Sequence, residues 1–206
     1  ILILVNSVIK MTLMLYLILI QFIYCCVDGV TFTQHTITDD TGIYSTARLV
    51  DLDEDGDLDV VASAWNSNFA AWFENDGYGN FIKHDFSSIA KPTLIVPIDL
   101  DGDGDLDLVS GSSDDIGSTT WFENDGSENF TPHTISTSTN KVTEMTAADF
   151  DNDGDIDIVS VAREAVILYL NDGSEIFSEV ILTTAVLARS IQSVDLDGDG
   201  DMDFVW

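Results

Sequence analysis

An all-β fold of repeated four-stranded antiparallel units is predicted by three observations. A nine-residue acidic string occurs four times at nearly constant spacing. Short apolar runs rich in β-branched and aromatic residues flank each string, with an Asn-Asp-Gly triplet standing between one string and the next. No run carries the 3.6-residue apolar period of a helix.

The strings are "DLDEDGDLD" (51–59), "DLDGDGDLD" (99–107), "DFDNDGDID" (149–157) and "DLDGDGDMD" (195–203). Their first residues, Asp51, Asp99, Asp149 and Asp195, stand 48, 50 and 46 positions apart, a period that belongs to solenoids, propellers or arrays. Four strands can be read in each period. The first runs into the string ("ARLVDL", "LIVPIDL", "MTAADF", "SIQSVDL") and the second leaves it ("DVVAS", "DLVSG", "DIVSV"), both apolar enough for a buried sheet. The third ends at Asn75–Gly77, Asn124–Gly126 and Asn171–Gly173, where Asp-Gly favours a tight hairpin because the glycine accepts positive φ. The fourth begins near Phe81, Phe130 and Phe177.

Four antiparallel strands in about 45 residues make the blade of a β-propeller, whose sheets bury their faces on one another. Blades are expected over about 44–86, 93–136 and 143–183, with part of a fourth over 189–206 and "TFTQHTI" (31–37) matching the outer strand of a closing blade. The chain begins at Ile1 and stops at Trp206, inside the second strand of its fourth repeat. The expectation is therefore a truncated arc of a larger ring.

The 206 residues carry 37 acidic and 7 basic side chains, a formal net charge of −30, yet 45% are hydrophobic. An acidic disordered tail would be far less apolar. Twenty of the acidic residues are aspartates of the four strings. The charge is thus concentrated locally, which favours cations as ligands and argues against nucleic acid as a partner.

Residues 1–29 form a separate element. Lys10 precedes an apolar run from Leu13 to Tyr24 broken only by Gln21, the length and flank of a signal-peptide core and short for a membrane span. Val27–Gly29 suits a signal peptidase, so cleavage before Val30 is expected; it would remove Cys25 and Cys26. An uncleaved anchor is the rival reading, and the one route to a membrane. Lipidation of Cys25 fits poorly beside Tyr24.

Alternate aspartates lie roughly 5–7 Å apart, and each screened like-charge pair costs some tenths of a kcal/mol, so the strings call for a neutralising ion. Carboxylates at positions one, three and five, a glycine at six, the carbonyl at seven and an aspartate at nine supply about six oxygens, which suits Ca2+. Magnesium demands tighter octahedral geometry, and zinc would want His or Cys. One calcium ion per string is expected. An EF-hand would need a glutamate at position twelve, where Ala62, Ser110, Ser160 and Trp206 stand, and helices on both sides.

With "WFENDG" following the first two loops and the F-x-x-H pattern at Phe81 and Phe130, the chain resembles FG-GAP/VCBS-type repeats, the calcium-loop blades of integrin α-chains and many secreted bacterial proteins. The resemblance covers residues 31–206. It implies the same ligand roles: Asp51, Asp53, Asp55 and Asp59 by side chain with Asp57 by carbonyl; likewise Asp99, Asp101, Asp103 and Asp107 with Asp105; Asp149, Asp151, Asp153 and Asp157 with Asp155; and Asp195, Asp197, Asp199 and Asp203 with Asp201. The third repeat departs from the pattern, with Leu168, Tyr169 and Leu170 in place of Trp-Phe-Glu.

His35, His84 and His133 recur at one blade position and are read as structural. Trp72 and Trp121 recur as well and are read as inter-blade packing, with a sugar-stacking platform as the alternative. Trp65 and Tyr78 fall outside the pattern and are better placed for ligand contact. No catalytic motif is found outside the strings. The expected function is a secreted or cell-surface calcium-binding propeller module for adhesion or for an extracellular protein or carbohydrate ligand, without enzymatic activity. The alternative is the propeller domain of a secreted polysaccharide-degrading enzyme.

Overall fold

The computed structural model describes residues 36–39, 43–66, 68–86, 91–114, 117–138, 141–184 and 188–206. The expected N-terminal segment 1–29 lies outside the described residues, as do 31–35 of the expected closing strand, His35 among them.

Every regular element among the described residues is a strand. Blade one comprises β1 (Thr46–Val50), β2 (Asp59–Ala64), β3 (Phe69–Asn75) and β4 (Phe81–Asp85). Blade two comprises β5 (Pro92–Ile98), β6 (Asp107–Ser112), β7 (Thr119–Asn124) and β8 (Phe130–Ser136). Blade three comprises β9 (Glu144–Ala148), β10 (Asp157–Val161), β11 (Ala165–Asn171) and β12 (Phe177–Thr184), and β13 (Gln192–Val194) pairs with β14 (Asp203–Val205) as the first two strands of a fourth. Each sheet is an antiparallel meander in chain order.

Register sets each acidic string at a hairpin. Val50 pairs with Asp59, Ile98 with Asp107, Ala148 with Asp157 and Val194 with Asp203, so the preceding eight residues of each string form the loop between a blade's first two strands. The first strands stand side by side like staves. Thr46 Oγ1 donates to Thr93 O at 2.9 Å, Thr93 Oγ1 to Val142 O at 2.8 Å, and Thr146 Oγ1 meets Ser193 Oγ at 2.9 Å. This lateral stacking of meanders is the propeller architecture.

The core lies between blades. Trp72 of blade one packs with Ile95, Leu108 and Phe122 of blade two; Trp121 of blade two packs with Ile158, Ile167 and Tyr169 of blade three. Both tryptophans are only 1% exposed, which excludes them as sugar-stacking platforms. In blade three Leu168 takes the tryptophan's place, and it and Phe204 of the fourth sheet pack against the cluster of Val159, Val161, Val166 and Ile191. Close approach also explains a residue inside a strand: a Cβ on Gly111 would sit 2.6 Å from Val142 Cγ1, so only glycine lets the third blade's entering segment cross β6.

Candidate metal centres

Four hairpin loops with the same spacing of aspartates turn alike because their carboxylates accept the loop's own N–H groups. Position one takes the N–H of the position-six glycine: Gly56 to Asp51 Oδ2, Gly104 to Asp99, Gly154 to Asp149 and Gly200 to Asp195, at 3.0–3.2 Å. Position three accepts from the N–H of position five, and position five from that of position seven, in all four loops. These bonds turn the carboxylates inward.

The result is a set of oxygens close enough to share one ion. Asp51, Asp53 and Asp55 converge, as do Asp99, Asp101 and Asp107, Asp149, Asp151 and Asp157, and Asp195, Asp197 and Asp199, each set offering one oxygen per residue with all three within 4.8 Å of one another. Ligand oxygens on opposite sides of a calcium ion at about 2.4 Å stand about 4.8 Å apart, so each loop can close around a single hard cation. Positions one and three converge in every loop, joined by five in two loops and by nine in the other two. Fit is also marked by a deficit. Oδ1 of Asp51 and of Asp149 is sealed from solvent with no hydrogen-bond partner, a condition that costs about 1–3 kcal/mol or more for a charged group. A cation would remove that cost.

Position nine has a second duty. Asp59, Asp107 and Asp157 are fully buried. One oxygen accepts the N–H of position two, Leu52, Leu100 or Phe150, at 3.0 Å; the other accepts the N–H of Asn75, Asn124 or Asn171 at 2.7–2.8 Å. The same asparagines donate Nδ2 to the carbonyl of position eight, Leu58, Leu106 or Ile156. Each loop is thereby bolted to the Asn-Asp-Gly hairpin of its own blade. Those asparagines were not among the residues expected to serve the site, although their recurrence at a fixed place was visible.

Position seven turns the other way. The carboxylates of Asp57, Asp105 and Asp155 lie against Gly77, Gly126 and Gly173, where a Cβ would fall inside contact distance of the carboxylate. These glycines are required twice over, by that approach and by φ near +71°. The side chain being used there, the main-chain carbonyl is the oxygen that position seven can offer.

Burial pushes the Asp107 carboxyl up to about 6 against the N–H groups of Asn124 and Leu100 that hold it down. Asp59 and Asp157 are raised for the same reason. Nε1 of Trp72 and Trp121 is sealed without hydrogen-bond geometry to any partner, yet its dipole also draws Asp59 and Asp107 downward. Burial raises Asp53 and Asp101 too, each pushed further by the neighbouring Asp55 or Asp103 carboxylate. A raised carboxyl binds its proton more tightly in the folded than in the unfolded chain. Its contribution is complete below the ordinary value near 4 and lost as pH rises through the folded value, which for Asp107 is about 6. Without divalent ions, the protein should therefore gain thermal stability as pH falls from 7 to about 4; melting temperatures across that range, which should rise on acidification, check this.

His84 Nε2 meets Glu74 Oε2 at 2.8 Å while its ring stacks on Trp72 with centroids 4.4 Å apart; His133 repeats both contacts with Glu123 and Trp121. These histidines cover the packed tryptophans, as a structural role requires. Trp65 and Tyr78 are 46% and 92% exposed.

A model of the FG-GAP-like repeat matches three overlapping spans, residues 51–110, 99–160 and 149–206. The chain belongs to the FG-GAP-like repeat family. Each matched span starts at an acidic loop and runs past the next one, so the family's unit coincides with the loops and hairpins just described. Comparison with curated proteins finds no match. Among solved structures, the FG-GAP-like chain is similar to an Agrocybe aegerita lectin described for specific recognition of non-reducing terminal N-acetylglucosamine, at 16% identity over 88% of this chain and 53% of the lectin, with a TM-score of 0.55. The chain thus spans about half of the lectin's length, and the likeness shows the fold. It is also similar to the Tc holotoxin pore of Photorhabdus luminescens, at 18% identity over 83% of this chain and 11% of that one, with a TM-score of 0.42.

Proposed function

We propose that this FG-GAP-like module is a calcium-stabilised scaffold of a secreted or cell-surface protein, binding an extracellular protein or carbohydrate ligand and having no enzymatic activity of its own. The observation that carries the reading is the sealed, unpartnered carboxylate oxygen of Asp51 and Asp149 within sets of converging carboxylates. An all-oxygen donor set suits calcium above softer metals, and affinities in the 10⁻⁴–10⁻³ M range are filled outside cells. The apolar run after Lys10 supports export.

In each loop, positions one, three, five and nine would hold the ion by side chain and position seven by its carbonyl. Calcium, when bound, supplies the positive charge that cancels the loop's repulsion. The chain's residues do the rest: glycine six makes the turn, and position nine with the hairpin asparagine fixes the loop against its blade. Tyr78 follows Gly77 at the tip of the first hairpin, beside Asp57, and is the best exposed candidate for touching a ligand.

The reading is tested on an array of glycans and extracellular-matrix proteins, probed in millimolar calcium and again in EDTA. Binding in calcium that EDTA abolishes and Tyr78→Ala weakens is expected. Absence of binding under both conditions would contradict a ligand-binding role.

A further inference from the structure

The four loops differ at position four. It is Glu54 in the first and Asn152 in the third, both left-handed at φ 60° and 61°, and glycine in the second and fourth, Gly102 at φ 76° and Gly198 at φ 79°. The difference reaches the position-one carboxylate. Gly102 N–H donates to Asp99 Oδ1 at 2.8 Å and Gly198 N–H to Asp195 Oδ1 at 2.7 Å. In the other two loops the corresponding Oδ1, of Asp51 and of Asp149, is the sealed atom without a partner.

We infer that position four divides the loops into two affinity classes, the first and third binding calcium more tightly than the second and fourth. This rests on the calcium reading above. An N–H aimed at Oδ1 stabilises the empty loop and presents positive charge at an oxygen the ion would use, whereas the unpartnered Oδ1 gains its first partner on binding. The second and third loops isolate the effect, since each carries five aspartates and a neutral residue at position four.

The test is a calcium titration of the full chain followed by ¹⁵N NMR, reading the position-six amides of Gly56, Gly104, Gly154 and Gly200, which donate to position one of their own loops. The amides of Gly56 and Gly154 should saturate at a calcium concentration at least about threefold lower than those of Gly104 and Gly200. Asn152→Gly should bring the third loop to the second loop's affinity. Gly102→Asn, at a site where a Cβ meets nothing within 4 Å, should do the reverse. Four amides saturating together, or exchanges that leave the order unchanged, would overturn the inference while leaving calcium binding intact; failure of all four to respond would overturn both.

Discussion

Withdrawing calcium is expected to lower the melting temperature by roughly 10–20 °C. Each loop gathers five aspartates in nine residues, and its hairpin joins the first two strands of a blade. A site with Kd near 10⁻⁴ M in millimolar calcium stabilises the folded state by about 1.4 kcal/mol, and four such sites by about 6 kcal/mol. At about 2–4 °C per kcal/mol for a domain of this size, the loss is large. Melting curves in EDTA, then after adding back calcium or magnesium, measure it. Calcium should restore the transition more fully, because magnesium's octahedral shell tolerates a flexible loop poorly. Identical curves in EDTA and in calcium would contradict the account.

Asp107→Asn should destabilise even the calcium-free protein, by about 2–4 kcal/mol. Both Asp107 oxygens accept N–H groups, from Leu100 at 3.0 Å and Asn124 at 2.7 Å, in a site closed to water. An amide has one oxygen to give, so its NH₂ must face one of those donors. A bolt between loop and hairpin becomes a donor–donor conflict. The comparison is Asp203→Asn, at the same position in the fourth loop, where the carboxylate is exposed and accepts from Leu196 N–H; water can replace what is lost, and the cost should stay under about 1 kcal/mol. Chemical denaturation of the two variants in EDTA decides the matter. Equal effects at both positions would mean that burial of position nine is not what gives it weight.

Much of the blade was legible because its signals are local. Phe81, Phe130 and Phe177 open β4, β8 and β12, and Asn75, Asn124 and Asn171 close β3, β7 and β11, each set by a hairpin whose glycine must adopt positive φ. The acidic strings announced loops, and their spacing announced inward carboxylates at positions one, three, five and nine, of which one and three converge in every loop while five and nine join them in two loops each. What stayed hidden depends on residues far apart in the chain. Position nine reads as one more ligand; only the fold brings it against Asn75 or Asn124, 16 or 17 residues onward. Position seven looks identical to its neighbours in the string, yet its carboxylate faces a hairpin glycine. Nothing in the composition separates Glu54 from Gly102 as partners of position one, because the distinction is a matter of where an N–H points. The tryptophans left two readings open, and burial between blades closed one of them.

Anomalous diffraction from crystals of the full chain grown in millimolar calcium tests most directly whether the strings are ion cages. One anomalous peak inside each of the four loops, among the carboxylates of positions one and three and their neighbours, is the predicted result. Loops without such a peak at that concentration would contradict the account.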